Sequence, residues 1–336
     1  MLHASKIAGC ALIVAAFSLA GAKPPAPKPK IVEVLRIWSQ APHNAFTDLI
    51  RYKNRWYCVF REGSGHGSPD GAIRVLTSTD GAAWTAAALV TTQYGDLRDP
   101  KLAITPDSRL MLTAVEAYPE REWVRHQTFA WFSYDGRSWG SRVKIGDPNM
   151  WLWRVTWHNR RAYSVGYSTV REHFTRLYTA PDGQSFAPHG EVLFDQGFPN
   201  EASLLFQDNG AGLCLLRRDG SDPKEVAAML GSSRPPYRGW SWKNLGVRVG
   251  GPNMIRLPDD RVVVAGRLYD QRPRTALCWL DAEGGALDEF LVLPSAGDSS
   301  YPGLVYFDDL LWISYYSSHE GKTSIYLAKV KIPPAS

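Results

Sequence analysis

The stretch FTDLIRYKNRWYCVFRE, residues 46–62, decides the fold. Its two apolar or aromatic segments flank a polar turn, which is the pattern of a β-hairpin. Five later stretches repeat this shape, and successive starts lie 48 to 54 residues apart: DPKLAITPDSRLMLTAVE (99–116), WRVTWHNRRAYSVGYS (153–168), EASLLFQDNGAGLCLLRR (201–218), GPNMIRLPDDRVVVAGR (251–267) and YPGLVYFDDLLWISYYSS (301–318). A fixed period near 50 residues is typical of stacked or radially arranged repeats.

The repeats predict an all-β chain, a six-bladed β-propeller with antiparallel four-stranded blades. Each unit of about 50 residues holds short strands separated by turns rich in Asp, Asn, Gly and Pro, and no segment shows sustained helical periodicity. The leftover segment 31–38 alternates like a strand. We expect it to complete the last blade, which closes the ring and removes exposed sheet edges.

A second repeated pattern lies between the hairpins. STDGAAW (78–84) and SYDGRSW (133–139) are two copies, and APDGQSF (180–186) is a weaker third. The Asp side chain can accept hydrogen bonds from turn amides, the Gly suits a positive φ, and the aromatic residue can pack under the blade. These turns resemble the Asp boxes, or BNR repeats, of the sialidase (neuraminidase) superfamily. The resemblance implies that Asp80, Asp135 and Asp182 are structural.

The amino terminus predicts export. Lys6 precedes an apolar run from Ile7 to Leu19, and Ala20-Gly21-Ala22 suits signal peptidase, so residues 1–22 are a predicted signal peptide. About 14 apolar residues are too few for a membrane span, and none is predicted. Residues 23–30 form a Pro/Lys-rich linker, and residues 31–336 form the propeller. The predicted location is therefore extracellular or periplasmic.

Composition excludes several classes. The formal net charge of +5 comes from dispersed Lys and Arg, so no nucleic-acid partner is expected. Cys58, Cys214 and Cys278 lie in apolar runs and are expected to be buried thiols. No cysteine has a histidine or carboxylate at ligand spacing, so neither a metal site nor a cofactor is predicted. We expect a monomer with a glycan as its partner.

The repeat positions suggest where chemistry occurs. The first strand of each blade lines a propeller's channel, so the leading residues Asp99, Glu201 and Tyr301 are expected to converge near the axis. The resemblance to sialidases implies that Tyr301 is the nucleophile and Glu201 its base. A neutral phenol suits an anionic sugar because a carboxylate nucleophile would repel it.

The resemblance implies further roles. Arg217 would bind the sugar carboxylate, and Glu320 would orient an arginine. Arg61 and the loop 63–71 resemble the sialidase arginine and acid loop, with Asp70 as acid/base. Arg267 is an ambiguous third arginine of the clamp. His66, outside the sialidase pattern, is a general acid, a sugar contact or an ordinary loop residue.

Two observations keep other functions open. The leading arginine of sialidases is absent, since Asn44-Ala45-Phe46-Thr47 stands at its position. The arginines can also bridge blades as buried ion pairs, Asp99 can be a turn residue, and Tyr301 can belong to the core. The predicted function is a retaining exo-glycosidase that removes a terminal acidic sugar, with sialic acid as first candidate. The alternatives are a non-catalytic glycan-binding propeller, a glycosidase or lyase for a uronate or neutral sugar, and a protein-interaction scaffold.

Overall fold

A computed structural model describes residues 28–222 and 226–335. The predicted signal peptide and the linker up to residue 27 lie outside these ranges. The described chain forms six four-stranded antiparallel sheets, and the predicted six-bladed propeller is confirmed. In chain order, the strands are β1 (Lys30–Trp38), β2 (His43–Tyr52), β3 (Arg55–Gly63), β4 (Ala72–Ser78), β5 (Thr85–Val90), β6 (Asp96–Ile104), β7 (Leu110–Ala117), β8 (His126–Ser133), β9 (Val143–Ile145), β10 (Met150–His158), β11 (Arg161–Ser168), β12 (Thr175–Ala180), β13 (Ala187–Pro188), β14 (Phe198–Phe206), β15 (Gly212–Asp219), β16 (Met229–Ser233), β17 (Ser241–Asn244), β18 (Val249–Arg256), β19 (Val262–Leu268), β20 (Arg274–Asp281), β21 (Ala286–Val292), β22 (Ser299–Phe307), β23 (Leu310–Ser317) and β24 (Ser324–Lys331).

The first strands of the blades surround the central channel. Blades 1 to 5 begin with β2, β6, β10, β14 and β18, and blade 6 begins with β22. Each of these strands contacts the first strand of the next blade, and β22 contacts β2 to complete the circle. The amino-terminal strand β1 pairs with β24 as the outermost strand of blade 6. The expectation that 31–38 closes the last blade is therefore confirmed.

Apolar side chains pack between neighbouring blades. Trp56 of blade 1 is 2% exposed and stacks on Trp312 of blade 6, with ring centroids 4.3 Å apart. Such aromatic pairs add about 0.5–1.5 kcal/mol beyond the burial of their area. The three predicted thiols, those of Cys58, Cys214 and Cys278, are free and buried in this core, as expected.

The three Asp-containing turns connect the third and fourth strands of blades 1, 2 and 3. The Asp80 carboxylate accepts hydrogen bonds from the amides of Ala82 (2.8 Å) and Ala83 (3.0 Å), and Asp135 and Asp182 accept two amides each in the same way. The glycine after each Asp has a φ between 69° and 74°, which glycine adopts without strain. These contacts are local to the turn, so the three carboxylates serve the turn itself.

Candidate active site

A β-bulge at one place in every first strand positions the site. The hydrogen-bond register skips two residues in each of these strands, namely 46–47, 99–100, 153–154, 200–201, 251–252 and 301–302. Three of the six bulges contain proline, which lacks the amide that a regular ladder requires. Because a bulge redirects side chains, the sequence places six pairs of redirected residues around the axis.

The bulge residues have unusual backbone conformations. Phe46, Asp99, Gly251 and Tyr301 all have a φ between 49° and 62°. For residues with a side chain this left-handed conformation costs of order 1–3 kcal/mol, and such strain clusters at functional sites. The sequence repeats predicted that Glu201 and Tyr301 hold the same leading position in their blades. The register shows that Asn200 holds that first bulge position and that Glu201 holds the second.

Tyr301 and Glu201 form the centre of the site. The Tyr301 hydroxyl donates a hydrogen bond to Glu201 Oε1 at 2.6 Å, and the Gly251 amide donates to Glu201 Oε2 at 2.7 Å. Both side chains belong to buried residues, Tyr301 being 8% exposed and Glu201 6% exposed. Burial raises the pKa of the Tyr301 phenol well above its ordinary value, Glu201 adds to this rise, and Arg217 opposes it. The resting phenol is therefore protonated and bonded to a carboxylate acceptor.

Gly251 makes this arrangement sterically possible. A Cβ atom at position 251 would lie 2.8 Å from Tyr301 Cγ, and the φ of 58° would strain any other residue. The backbone of blade 5 thus reaches close enough to hold Glu201 and to support the Tyr301 ring.

Arg217 lies beside this pair. Its Nη1 atom is 2.9 Å from Glu201 Oε1 and 3.2 Å from the Tyr301 oxygen. The Arg217 Nε atom is 2.8 Å from Asp219 Oδ2. Asp219 Oδ1 in turn lies 2.6 Å from Arg248 Nη2. Two guanidinium groups and two carboxylates therefore balance each other here, and Arg217 faces Tyr301 with its charge already compensated.

Arg267 lies on the face of the Tyr301 ring, 5.5 Å from the centroid. Its guanidinium donates to the Tyr316 hydroxyl at 2.9 Å and to Asp298 at 3.3 Å. Tyr316 in turn donates to Asp298 Oδ1 at 2.8 Å. The structure thus brings two of the predicted arginines to one tyrosine, Arg217 to its hydroxyl and Arg267 to its ring.

Aromatic rings enclose Tyr301. Phe46, Trp153 and Tyr316 have ring centroids 5.2, 5.8 and 5.8 Å from its own. The Phe46 ring makes this part of the wall apolar. Apolar faces of this kind suit the carbon face of a sugar ring.

Asp99 and Lys101, on either side of Pro100 in β6, are both buried. Asp99 is 6% exposed, and its Oδ1 atom has no hydrogen-bond partner among the described residues. Burial raises the pKa of the Asp99 carboxyl to about 6, although Lys101 and Arg98 favour its ionised form. Burial also lowers the pKa of Lys101 to about 8. A carboxyl in this state can hold a proton close to neutral pH.

Arg61 supports the loop 63–71 and does not join the group around Tyr301. Its side chain is fully buried, with Nε bonded to Asp96 at 2.7 Å and Nη1 bonded to the Gly65 carbonyl at 2.7 Å. Nη2 donates to the carbonyl and hydroxyl oxygens of Ser68. Because all three nitrogens have protein partners, the predicted substrate contact by Arg61 is replaced by a structural role.

The loop 63–71 carries Asp70 at its exposed surface. The Asp70 carboxylate accepts the Ser64 amide at 3.0 Å and the Ser64 hydroxyl at 3.0 Å. Hydrogen bonding by Ser68 and Ser64 lowers the pKa of Asp70. The resting loop therefore holds Asp70 in its ionised form.

His66 extends from the same loop over Phe46, with ring centroids 5.1 Å apart. Its Nδ1 atom lies 2.8 Å from Asp298 Oδ2, and His43 Nε2 lies 3.0 Å from the same oxygen. His66 is thus at the mouth of the channel, in contact with the aromatic wall of the site.

Glu320 lies away from the two arginines. It pairs with Arg36 of β1 at 2.8 Å and accepts a hydrogen bond from Tyr326 at 2.9 Å. Both residues are exposed: Arg36 lies on the outermost strand of blade 6, and Glu320 lies in the turn between β23 and β24. The expected orienting role toward a clamp arginine is therefore not seen, and Asp298 holds Arg267 instead.

Several residues of the site were missed by sequence reasoning. Asp298, His43, Arg98 and Lys101 lie among the predicted residues but belong to no motif. One signal was present for Asp298, because it lies three residues before Tyr301, directly ahead of the same strand. The other three, His43, Arg98 and Lys101, lie within three residues of a bulge. Pro100 marks the bulge of blade 2 in the sequence, but no proline marks the bulge of blade 1.

Two cavities flank the channel. One of about 480 Å³ lies between the loop 63–71 and blade 2, and its lining includes Gly67, Arg98, Arg125 and His126. Another of about 580 Å³ lies at the opposite end, where Arg51, Phe206 and Arg256 line the far ends of the first strands. Arg98 lines the first cavity, and its guanidinium lies 5.3 Å from the Phe46 ring.

Comparison with known proteins identifies the fold of the chain but does not assign it to a family. No protein-family model matches the sequence, and no curated protein matches it. A protein of unknown function from Dyadobacter fermentans has a TM-score of 0.80 at 20% identity, covering 91% of this chain and 100% of that chain. A mutant of the Fusarium graminearum α-L-arabinofuranosidase, bound to an iminosugar inhibitor, has a TM-score of 0.70 at 13% identity and coverages of 90% and 98%.

The Trypanosoma rangeli sialidase, bound to the inhibitor DANA, has a TM-score of 0.69 at 13% identity. The match covers 90% of this chain and 60% of the sialidase, so the chain spans about three fifths of that protein. At these identities the likeness establishes the fold. The chain has a sialidase-like six-bladed propeller, and its structural neighbours include glycoside hydrolases that act on different sugars.

No helix within residues 28–222 and 226–335 has both the length and the apolar character that crossing a membrane requires.

Proposed function

We propose that the chain is an exported retaining exo-glycosidase that removes a terminal acidic sugar, with sialic acid as the first candidate. The observation that carries the proposal is the buried 2.6 Å hydrogen bond from Tyr301 to Glu201, flanked by Arg217. A phenol in this environment has a base in contact and a cation that favours the phenolate. This combination suits a nucleophile more than a core tyrosine.

The chemistry follows from these contacts. The Tyr301 oxygen attacks the anomeric carbon while Glu201 takes the phenolic proton, and the bond to the leaving oxygen breaks. A general acid protonates that oxygen. Water then attacks the anomeric carbon, and the bond between that carbon and the Tyr301 oxygen breaks. The conjugate base of the acid accepts the water proton, and Glu201 returns its proton to the Tyr301 oxygen. Two displacements give retention of configuration.

Two carboxyls compete for the role of general acid. Asp70 lies on the expected loop, but hydrogen bonds from Ser68 and Ser64 lower its pKa and hold it ionised. Asp99 is buried in the wall, has an oxygen without a partner, and has a pKa of about 6. Protonation favours Asp99, because a general acid works best with a pKa near the working pH.

A second candidate is a glycosidase for a neutral sugar. Arg217 and Arg267 are already paired with Glu201, Asp219 and Asp298, and the segment 44–47, where the resemblance would place a leading arginine, contains none. A site with compensated arginines and an aromatic wall has less attraction for a carboxylate. The arabinofuranosidase among the structural neighbours supports this candidate.

The test compares fluorogenic sialosides, glucuronides and arabinofuranosides as substrates for the purified protein. Tyr301→Phe and Glu201→Gln are expected to reduce kcat by about 10²–10⁴, since each removes a group that acts on the reacting atoms. Tyr315→Phe is the matched control, because Tyr315 is buried in the same blade and donates only to the Pro294 carbonyl.

The outcomes separate the alternatives. Full activity in Tyr301→Phe would reject the nucleophile assignment. No turnover of any substrate, together with binding on a glycan array, would support the non-catalytic glycan-binding alternative.

A further inference from the structure

Three side chains from distant parts of the sequence meet beside the active-site mouth. His43 begins β2, His66 lies on the loop 63–71, and Asp298 directly precedes β22. One ligand atom from each, His43 Nε2, His66 Nδ1 and Asp298 Oδ2, lies within 4.8 Å of the others. We call these three residues the histidine–aspartate cluster.

The donor set suits a divalent transition metal. Two imidazole nitrogens and one carboxylate oxygen are the ligands of many zinc and non-haem iron sites with open positions. The separations of 2.8 and 3.0 Å between the nitrogens and Asp298 Oδ2 need only small shifts. Ligand atoms about 2.0–2.1 Å from a tetrahedral zinc ion lie roughly 3.3 Å apart.

The surroundings of Asp298 resemble the outer shell of a metal site. Its other oxygen, Oδ1, accepts hydrogen bonds from Tyr316 at 2.8 Å and Arg267 at 3.3 Å. The Asp298 amide donates to the Ser318 hydroxyl, since these two atoms lie 3.0 Å apart. These contacts fix the carboxylate so that Oδ2 faces the two imidazoles, and such supporting contacts orient metal-ligating carboxylates.

One side of the histidine–aspartate cluster is buried, and the other side is exposed to solvent. The side chain of His43 is 12% exposed, whereas those of Asp298 and His66 are 29% and 55% exposed. Phe46 contacts both His66 and Tyr301, with centroid distances of 5.1 and 5.2 Å. Open coordination positions would therefore face the same mouth as the Tyr301–Glu201 pair.

We propose that His43, His66 and Asp298 bind one divalent transition-metal ion, with Zn²⁺ as the best-suited ion. The bound ion places positive charge at the blade 1–blade 6 boundary, where the segment 44–47 contains no arginine. Its open positions can accept a hydroxyl or carboxylate oxygen of a bound sugar. This site is independent of which sugar is hydrolysed and of whether hydrolysis occurs.

A simpler explanation is that both histidines only donate hydrogen bonds to Asp298. The two explanations differ in metal binding, which calorimetry and metal analysis measure directly. The protein is stripped with a chelator and titrated with Zn²⁺, and Co²⁺ is added separately so that its d–d absorption reports the ligand geometry. His66→Ala and Asp298→Asn remove one ligand each. His173→Ala is the control, because His173 is an exposed loop histidine outside the cluster.

We expect one Zn²⁺ per chain in the wild type and in His173→Ala. Loss of a ligand is expected to weaken binding by more than about 100-fold, since even an outer-shell partner is worth 10–100-fold. Zn²⁺ should also raise the Tm of the wild type and leave that of His66→Ala unchanged. Because His66 lies on an exposed loop, this variant should fold, and circular dichroism checks that it does.

Two results would overturn the proposal: a wild type that binds no stoichiometric Zn²⁺ or Co²⁺, or equal binding by wild type, His66→Ala and Asp298→Asn. Either result leaves the Tyr301–Glu201 proposal intact, because the titration requires no turnover. Conversely, an inactive protein that binds Zn²⁺ at this cluster would reject the enzyme and retain the site.

Discussion

Replacement of Asp99 by Asn should make the protein more stable at pH 7 and less active. Asp99 is buried, and its pKa is about 6 in the folded protein against an ordinary value near 3.9. The difference of about two pH units corresponds to about 3 kcal/mol. An uncharged Asn of the same shape avoids this cost, so about 3 kcal/mol is the largest gain expected.

The pH dependence has a definite sign. Between about pH 4 and 6 the folded protein keeps a proton on Asp99 that the unfolded chain has lost, so the free energy of unfolding falls as the pH rises through this window. Asp99→Asn lacks this contribution. The stabilisation over wild type should therefore be absent near pH 4 and fully present above about pH 7.

Urea unfolding at pH 4, 5, 6 and 7 measures the stability of both proteins, and hydrolysis rates measure the function. If Asp99 is the general acid, Asp99→Asn should lose activity most with substrates whose leaving groups have a high pKa. Asp70→Asn is the matched comparison. An Asp99→Asn protein less stable than wild type at pH 7 would refute the burial argument, and loss confined to Asp70→Asn would transfer the acid role to Asp70.

Three further predictions concern the framework of the site. Asp48→Ala should reduce the free energy of unfolding by about 3–5 kcal/mol, because it leaves Arg154 without its bidentate partner at 2.9 Å. An unchanged urea midpoint would contradict this prediction. Gly251→Ala should lower kcat while circular dichroism stays native, since its Cβ would displace the Tyr301 ring, and wild-type kinetics would show that the ring adapts. Arg61→Lys should accelerate proteolysis within residues 63–71, because lysine cannot replace the hydrogen bonds to Asp96, Gly65 and Ser68. An unaltered cleavage rate would show that Arg61 does not stabilise the loop.

The repeat pattern predicted the ring and the meeting of Tyr301 with Glu201. These residues are 100 positions apart, but a common phase within the repeats places both on first strands at the same end of the channel. The bulges add a detail that the repeat alignment did not show. Asn200 rather than Glu201 is in register with Tyr301, and the second bulge position directs the Glu201 carboxylate to the tyrosine.

The ion-pair partners of Arg61 and Glu320 could not be predicted from the sequence, because a charged side chain pairs with whichever opposite charge the fold brings near. Arg61 is bound by Asp96, 35 residues away in the next blade, and Glu320 is bound by Arg36, 284 residues away. Neither separation carries a sequence signal. The histidine–aspartate cluster was missed for the same reason, since Asp298 is 232 residues from His66 and 255 from His43.

Closure of blade 6 by β1 has a consequence for the order of folding. Residues 30–38 are synthesised before the other described strands, whereas their partner β24 is the last of these strands to be made. Contacts between such distant segments form slowly, so the edges of β1 and β24 stay unpaired until the other blades have assembled, and each can capture a strand of another chain. Moving residues 30–38 behind β24 through a short linker would turn this long-range pairing into a local hairpin. The permuted chain should refold faster, with less aggregation, and keep the same channel.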